Sequence, residues 1–230
     1  MVIITGSSRG IGKAIAEFYL NQGEKVVGVS RSNEIAQPNF TFISCDLSKR
    51  SALEDFELPA WVFEQKNIRL INNAGIIGSI ARAKKLGLAD YYEVSMVNVV
   101  ALQFFTSLLL RKLQPDQLAA IVNISSGAAR RAIASWSAYC ASKAAVDMYS
   151  LTIHEELKET GQNTKVYSLA PGVVDTEMQT TIRSSNSGEF SAHENFVELK
   201  EKNELRSPQE VASLLDELLK KEQQDVITRL

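Results

Sequence analysis

Val2-Ile3-Ile4-Thr5-Gly6-Ser7-Ser8-Arg9-Gly10-Ile11-Gly12 is the stretch on which the reading of this chain turns. Four β-branched residues end in a glycine-rich turn, and a helical pattern, Gly10–Asn21, begins inside that turn. Glycines at such a junction let the backbone turn tightly and approach a ligand closely. The helix start behind them presents free N–H groups and the positive end of its dipole, which suits a pyrophosphate. The spacing is not GxGxxG, and a tight strand-to-helix connection without a ligand reads the same way at this point.

Outward from that turn, short apolar runs alternate with helical ones. Lys25–Ser30, Phe40–Cys45, Arg69–Asn72, Ala119–Ser125 and Lys165–Leu169 read as further strands, with a short last one at Val226–Thr228. Between them, helices are expected over Gly10–Asn21, roughly Ala52–Glu64, Tyr91–Leu113, Ala138–Thr160 and Pro208–Lys220. Several strands are apolar on both faces, as strands covered from two sides are. The alternation predicts an α/β fold: a doubly wound, Rossmann-like parallel sheet with helices on both faces, three layers in one domain over residues 1–230. Ile182–Phe196 contains Ser184-Ser185-Asn186-Ser187-Gly188 without an apolar period, so 177–205 is expected to be a mobile loop at the carboxyl edge of the sheet, placed to cover a substrate.

Composition narrows the class. In 230 residues, 45% are hydrophobic and 23% charged, with net charge −2, which is the profile of a globular protein and leaves no basic footprint for nucleic acid or anionic lipid. The longest apolar stretch, Met96–Leu110, is interrupted by Asn98, Gln103, Thr106 and Ser107, so no membrane span is expected, nor a signal peptide, and the cytoplasm is the expected location. Cys45 and Cys140 form no ligand pattern, and His154 and His193 lack partners, so no metal is expected. Cys140 reads as a small buried residue.

The end of the second strand bears on cofactor choice. An acidic residue there would take a ribose 2′-hydroxyl; this chain has Val29-Ser30-Arg31-Ser32 instead. Arg31 can pair with a 2′-phosphate, Ser30 can donate to it, and Arg9 can add a second guanidinium, which favours NADP(H). Farther on, Tyr139-Cys140-Ala141-Ser142-Lys143 sets a phenol and an ammonium one helical turn apart. A free tyrosine titrates near about 10. A neighbouring cation lowers that value toward what proton transfer to a carbonyl oxygen needs. Ser126 closes the strand before that helix and can reach the same oxygen, although a serine there is equally a turn residue.

Thr5–Gly12, Asp46-Leu47, Asn72-Asn73-Ala74-Gly75, Asn98, Ser126, Tyr139, Lys143 and Pro171-Gly172-Val173-Val174-Asp175-Thr176 stand in an order and spacing that resembles the short-chain dehydrogenase/reductase family over residues 2–178. The resemblance implies that Tyr139 is the proton donor in reduction, that Lys143 lowers its pKa and binds the nicotinamide ribose, and that Ser126 polarises the carbonyl. It implies that Asn98 holds a water in a relay to Lys143, that Asp46 and Leu47 lie at the adenine, and that Asn73, Ala74 and Gly75 shape the cofactor floor. Gly6, Ser8, Gly10, Ile11 and Gly12 would surround the phosphates, and Pro171, Gly172, Val174 and Thr176 the nicotinamide carboxamide. It also implies a homodimer or homotetramer. Within the family, Ser135-Trp136-Ser137-Ala138-Tyr139-Cys140 and Ala170–Gln179 are similar to the sepiapterin reductase and benzil reductase branch. That places Trp136 and Met178 in the substrate pocket, with simple packing the other reading of Trp136. The tail from Gln224 to Leu230 departs from sepiapterin reductases, which turns the expectation toward a 1,2-dicarbonyl such as benzil. The rival readings are a 3-oxoacyl-carrier-protein reductase and an NADP-binding regulatory protein without chemistry.

Overall fold

The computed structural model describes every residue except Gln224. The chain runs β1 (Val2–Thr5), α1 (Gly10–Asn21), β2 (Val26–Ser30), β3 (Phe40–Ser44), α2 (Arg50–Glu54), β4 (Asn67–Asn72), α3 (Leu88–Ser95), α4 (Ala101–Leu110), β5 (Leu118–Ile124), α5 (Ser137–Glu159), β6 (Thr164–Ala170), α6 (Glu177–Arg183), α7 (His193–Glu201), α8 (Pro208–Lys220) and β7 (Ile227–Arg229). The seven strands form one parallel sheet in the order β3-β2-β1-β4-β5-β6-β7. The order reverses at β1, so the crevice between the carboxyl ends of β1 and β4 is where a doubly wound sheet opens for a ligand.

Alternation along β1 explains the three layers. Val2 and Ile4 pack with Ile15, Tyr19 and Leu215 from α1 and α8. Ile3, between them, packs on the opposite face with Phe105 and Leu109 of α4. Parallel strands buried on both sides need this double apolar content. At the end of β1 the packing becomes tight enough to demand glycine. A Cβ on Gly12 would stand 2.2 Å from the Gly6 carbonyl oxygen and 2.4 Å from Asn73 Nδ2. Gly12→Ala is therefore expected to cost about 3 kcal/mol by overpacking against backbone. Urea unfolding reads this directly, and an unchanged midpoint would refute the packing argument.

Three expectations need correction. The helix over Ala52–Glu64 is broken: α2 stops at Glu54 and a single 3-10 turn spans Ala60–Glu64. Pro59 is the cause, because it lacks an N–H and disfavours helical backbone at Leu58. The helix expected over Tyr91–Leu113 begins earlier and contains a π turn, Met96–Val100, that carries Asn98. The whole rod Leu88–Leu110 is long and apolar enough by composition to cross a membrane, which Met96–Leu110 alone is not. However, 56% of its most apolar window is buried inside the fold, the state of a core helix. Finally, Ile182–Phe196 is not a featureless loop, since α6 and α7 occupy much of 177–205 and Ile182, Phe190 and Phe196 are buried. Their spacing has no helical period because they reach across a turn to one distant partner, Trp136.

Candidate active site

A cleft of about 1080 Å³ runs along the carboxyl ends of the strands, from the glycine turn to α6 and α7. At its first end, α1 begins with no side-chain cap and no acidic residue in its first turn. Its N–H groups are thus open to an anion. Gly6 (φ +70°) and Gly10 (φ +55°) hold left-handed backbone there, and a Cβ on Gly6 would stand 2.9 Å from Ala74 Cα. Ser8, Arg9, Gly10 and Ile11 line this end, while Gly12 lies beneath it as packing. These features fit the diphosphate of a dinucleotide.

Ser30, Arg31, Asp46 and Leu47 line the neighbouring wall. Arg31 is exposed, and no salt bridge occupies it among the described residues. Arg9, by contrast, pairs with Glu177 at the start of α6. Ser30 is buried, and its hydroxyl donates to the Ser32 carbonyl at 2.8 Å, so it is engaged by its own strand end. Asp46 does not cap α2, whose N-cap is Lys49. Its Oδ1 accepts from the Ser48 hydroxyl (2.7 Å) and N–H (3.1 Å), and the Ser48 hydrogen bond holds its carboxyl below the usual range.

The floor is made rigid by one hydroxyl. Thr5 Oγ1 accepts from the N–H groups of Asn73 and Ala74, both at 3.1 Å, while Asn73 Nδ2 donates to the Thr5 carbonyl at 3.0 Å. Gly75 follows, and a Cβ there would stand 3.4 Å from Lys143 Nζ. Opposite, Pro171, Gly172, Val174 and Thr176 line the cleft. Sequence reasoning missed what holds them. Arg206 packs on Gly172 (φ +82°) and donates to the carbonyls of Pro171 (3.1 Å) and Leu230 (2.6 Å). An arginine at the distance of 35 residues carries no local signal of this contact.

The turn after β5 and the start of α5 bring Ser126, Tyr139 and Lys143 to the middle of the cleft. Ser126 takes the turn role: its Oγ accepts from the Ala128 N–H at 3.1 Å, and it lines the cleft together with Tyr139. Burial pushes the Tyr139 phenol up to about 12, with the neighbouring Ser126 hydroxyl opposing. Burial also pulls Lys143 down to about 8, with the Asp147 carboxylate opposing. Desolvation disfavours the charged form of each group, so the two pKa values move in opposite directions and end farther apart. The expected lowering of Tyr139 by Lys143 is not the controlling influence. The ammonium donates to the Ile124 carbonyl at 2.8 Å and stands over the Tyr139 ring, 5.7 Å from its centre. Asn98 lies outside the cleft lining: its Nδ2 donates to the Ile76 carbonyl (2.9 Å) and Ser142 Oγ (3.0 Å), and its Oδ1 accepts from the Ile76 N–H (2.8 Å). Cys140 is half-buried rather than fully buried.

The far end of the cleft is aromatic. Trp136 stacks on Phe190 (5.3 Å, 15°), tilts over Phe196 (5.3 Å) and meets Tyr139 edge-on (5.5 Å). Trp136 is thus both a packing residue and a wall of the cleft, with Met178 beside it. Ser135, just before it, holds φ +72° and donates from its hydroxyl to the Glu189 carbonyl at 2.6 Å. No cluster of three metal-ligating side chains occurs among the described residues.

A model of the family described as short chain dehydrogenase matches residues 1–187. The chain is 36% identical over 227 residues to a benzil reductase ((S)-benzoin forming) of Bacillus subtilis, covering 96% of this chain and 93% of that one. It is 30% identical over 206 residues to an NADPH-dependent pterin aldehyde reductase of Arabidopsis thaliana, covering 83% and 81% of the two chains. Among solved structures, a short chain dehydrogenase/reductase from Saccharomyces cerevisiae superimposes with a TM-score of 0.82 at 26% identity, covering 99% and 94%.

Proposed function

The chain belongs to the short chain dehydrogenase family of nicotinamide-dependent oxidoreductases, and on that premise we propose that it is an NADPH-dependent reductase of ketones and 1,2-dicarbonyls of the benzil kind. The observation that carries this reading is the gathering of Ser126, Tyr139 and Lys143 in one cleft, between an anion-ready helix start and an aromatic wall. The nicotinamide, when bound, supplies the hydride that goes to the carbonyl carbon. Tyr139 gives its phenolic proton to the carbonyl oxygen, Ser126 donates a hydrogen bond to that oxygen, and Lys143 holds the ribose beside them. Gly6, Ser8, Gly10 and Ile11 hold the diphosphate, and Arg31 takes the 2′-phosphate. Asn73, Ala74, Gly75 and the segment from Pro171 to Thr176 hold the nicotinamide half. Asn98 positions Ser142 and the backbone at Ile76 from behind the floor.

The Trp136, Phe196 and Met178 lining makes this end of the cleft apolar and partly aromatic beside Tyr139, which suits an aryl group next to a carbonyl better than a charged chain. The segment 177–205 closes this end as a cap. The same reading includes the cytoplasm as its location and assembly into two or four copies, as is common in the family.

Steady-state NADPH oxidation with benzil, sepiapterin and a 3-oxoacyl thioester in parallel, and NADH as the control, tests the reading. Benzil is expected to give at least about tenfold higher kcat/KM than the thioester, the discrimination of an apolar pocket by shape. A thioester turned over faster would select the 3-oxoacyl-carrier-protein reductase reading. NADPH binding with no turnover would select a regulatory binder.

A further inference from the structure

The face that α5 turns toward the sheet is unusual for a core helix. Ser142, Lys143, Asp147 and Ser150 are buried there, where apolar residues would normally sit. A buried charge is costly unless paired and hydrogen-bonded. Asp147 is 8% exposed and fully engaged. Its Oδ1 accepts from the hydroxyls of Ser125 and Ser168, both at 2.6 Å, and its Oδ2 from Arg130 Nε at 3.1 Å. Each donor sits on a segment that builds the reaction site. Ser125 directly precedes Ser126. Ser168 lies on β6, three residues before Pro171. Arg130 ends the 3-10 turn, Gly127–Ala129, that Ser126 caps. Lys143 lies one turn earlier on the helix that carries Asp147.

We propose that Asp147 is a positioning residue of the reduction, a buried anion set one helical turn from Lys143 that ties the segments carrying Ser126, Lys143 and Pro171–Thr176 to one another. The role rests on reading Tyr139 and Lys143 as the reacting pair. Tyr139 and Asp147 are the titratable groups facing Lys143 from its own helix. The elements packed against it bring Asn98 from the π turn, Asn73 from the floor, Ser125 and Ser126 from the end of β5, Ser168 from β6, and Arg130. Among these, Arg130 alone is charged, and it is spent on Asp147. Burial drives Lys143 toward its neutral form and Asp147 is the influence that opposes it. Arg130, 62% exposed at its side chain, partly cancels that influence.

The two neighbours therefore act on Lys143 with opposite sign, which makes the test independent of whether one variant folds. The titration midpoint of Lys143 is read by NMR of lysine-ε-labelled protein with no cofactor added, the resonance being assigned by its loss in Lys143→Arg. Asp147→Asn is expected to move the midpoint down and Arg130→Gln to move it up, with the effect of Arg130→Gln much reduced in the double variant. In turnover with NADPH, Asp147→Asn is expected to lose about tenfold at pH 9 while staying within about twofold at pH 6. An unmoved Lys143 midpoint, or an equal loss at both pH values, would reduce Asp147 to a structural role and overturn the proposal. If Asp147→Asn does not fold, a midpoint unmoved by Arg130→Gln overturns it alone. Failure of the wild-type protein to reduce any carbonyl would count against the function proposed above, and the NMR midpoints would still decide whether Asp147 governs Lys143.

Discussion

Tyr139→Phe is expected to lower kcat for carbonyl reduction by about 10³-fold and to leave the Kd for NADPH within about twofold, the signature of losing general acid catalysis alone. The substitution removes one oxygen from a side chain that is 7% exposed, so the ring keeps its place against Trp136 and Lys143. Ser126 remains to polarise the carbonyl, which is why some turnover should survive. The same geometry fixes the pH dependence of the wild-type protein. Burial pushes the phenol up to about 12, so it stays protonated, and competent to donate, across the working range. Any alkaline loss of reduction that begins near pH 8 therefore belongs to Lys143, whose ammonium is lost there. Alcohol oxidation needs the phenolate and is expected to rise with pH over the same interval. Single-turnover kinetics beside a binding titration make the check, and a Phe variant with kcat within tenfold of wild type would remove Tyr139 from the proton's path.

The second large effect concerns the cofactor. Arg31→Asp is expected to lower kcat/KM with NADPH by about 10²-fold or more while sparing NADH, since a charge-assisted hydrogen bond is lost and a like charge is set against the phosphate. Among the described residues, Arg31 is the guanidinium at this end of the cleft that makes no salt bridge, whereas Arg9 is held by Glu177. The corresponding change at Arg9 should accordingly matter less. The ratio of kcat/KM for the two cofactors is the measurement, and a ratio unchanged in Arg31→Asp would mean that the 2′-phosphate is read elsewhere.

What the residues disclosed in advance was local or strictly periodic. The turn from Thr5 to Gly12, the double-faced strands and the one-turn spacing of Tyr139 and Lys143 all carry their meaning within a few neighbours. The parallel sheet followed from them, and so did the gathering of both sets of residues along one cleft. The misplaced features depend on distant partners. Ile182, Phe190 and Phe196 look unpatterned until Trp136 is seen to collect them. Arg206 and Asp147 carry no local signal of their contacts, and only strand order brings Arg206 to Pro171 and Ser168 to Asp147. The electrostatics also resisted: a cation four residues from a phenol suggests a lowered pKa, but a desolvated pair answers first to its burial. The break at Pro59 was visible and under-weighted, since a proline within an apolar run still ends a helix.

The stacking of Trp136 has a consequence for how this protein can be watched at work. The chain has two tryptophans. Trp61 lies beneath Lys25, 5.2 Å from its ammonium and outside the cleft lining, whereas Trp136 stands inside the cleft between Phe190, Phe196 and Tyr139. Replacing Trp61 with Phe leaves a single indole emitter in the cleft wall beside α6 and α7, where the proposed substrate would sit. Quenching by a bound nicotinamide and a change in emission as the cap settles would then report arrival and closure as separate optical events, in real time and without a label.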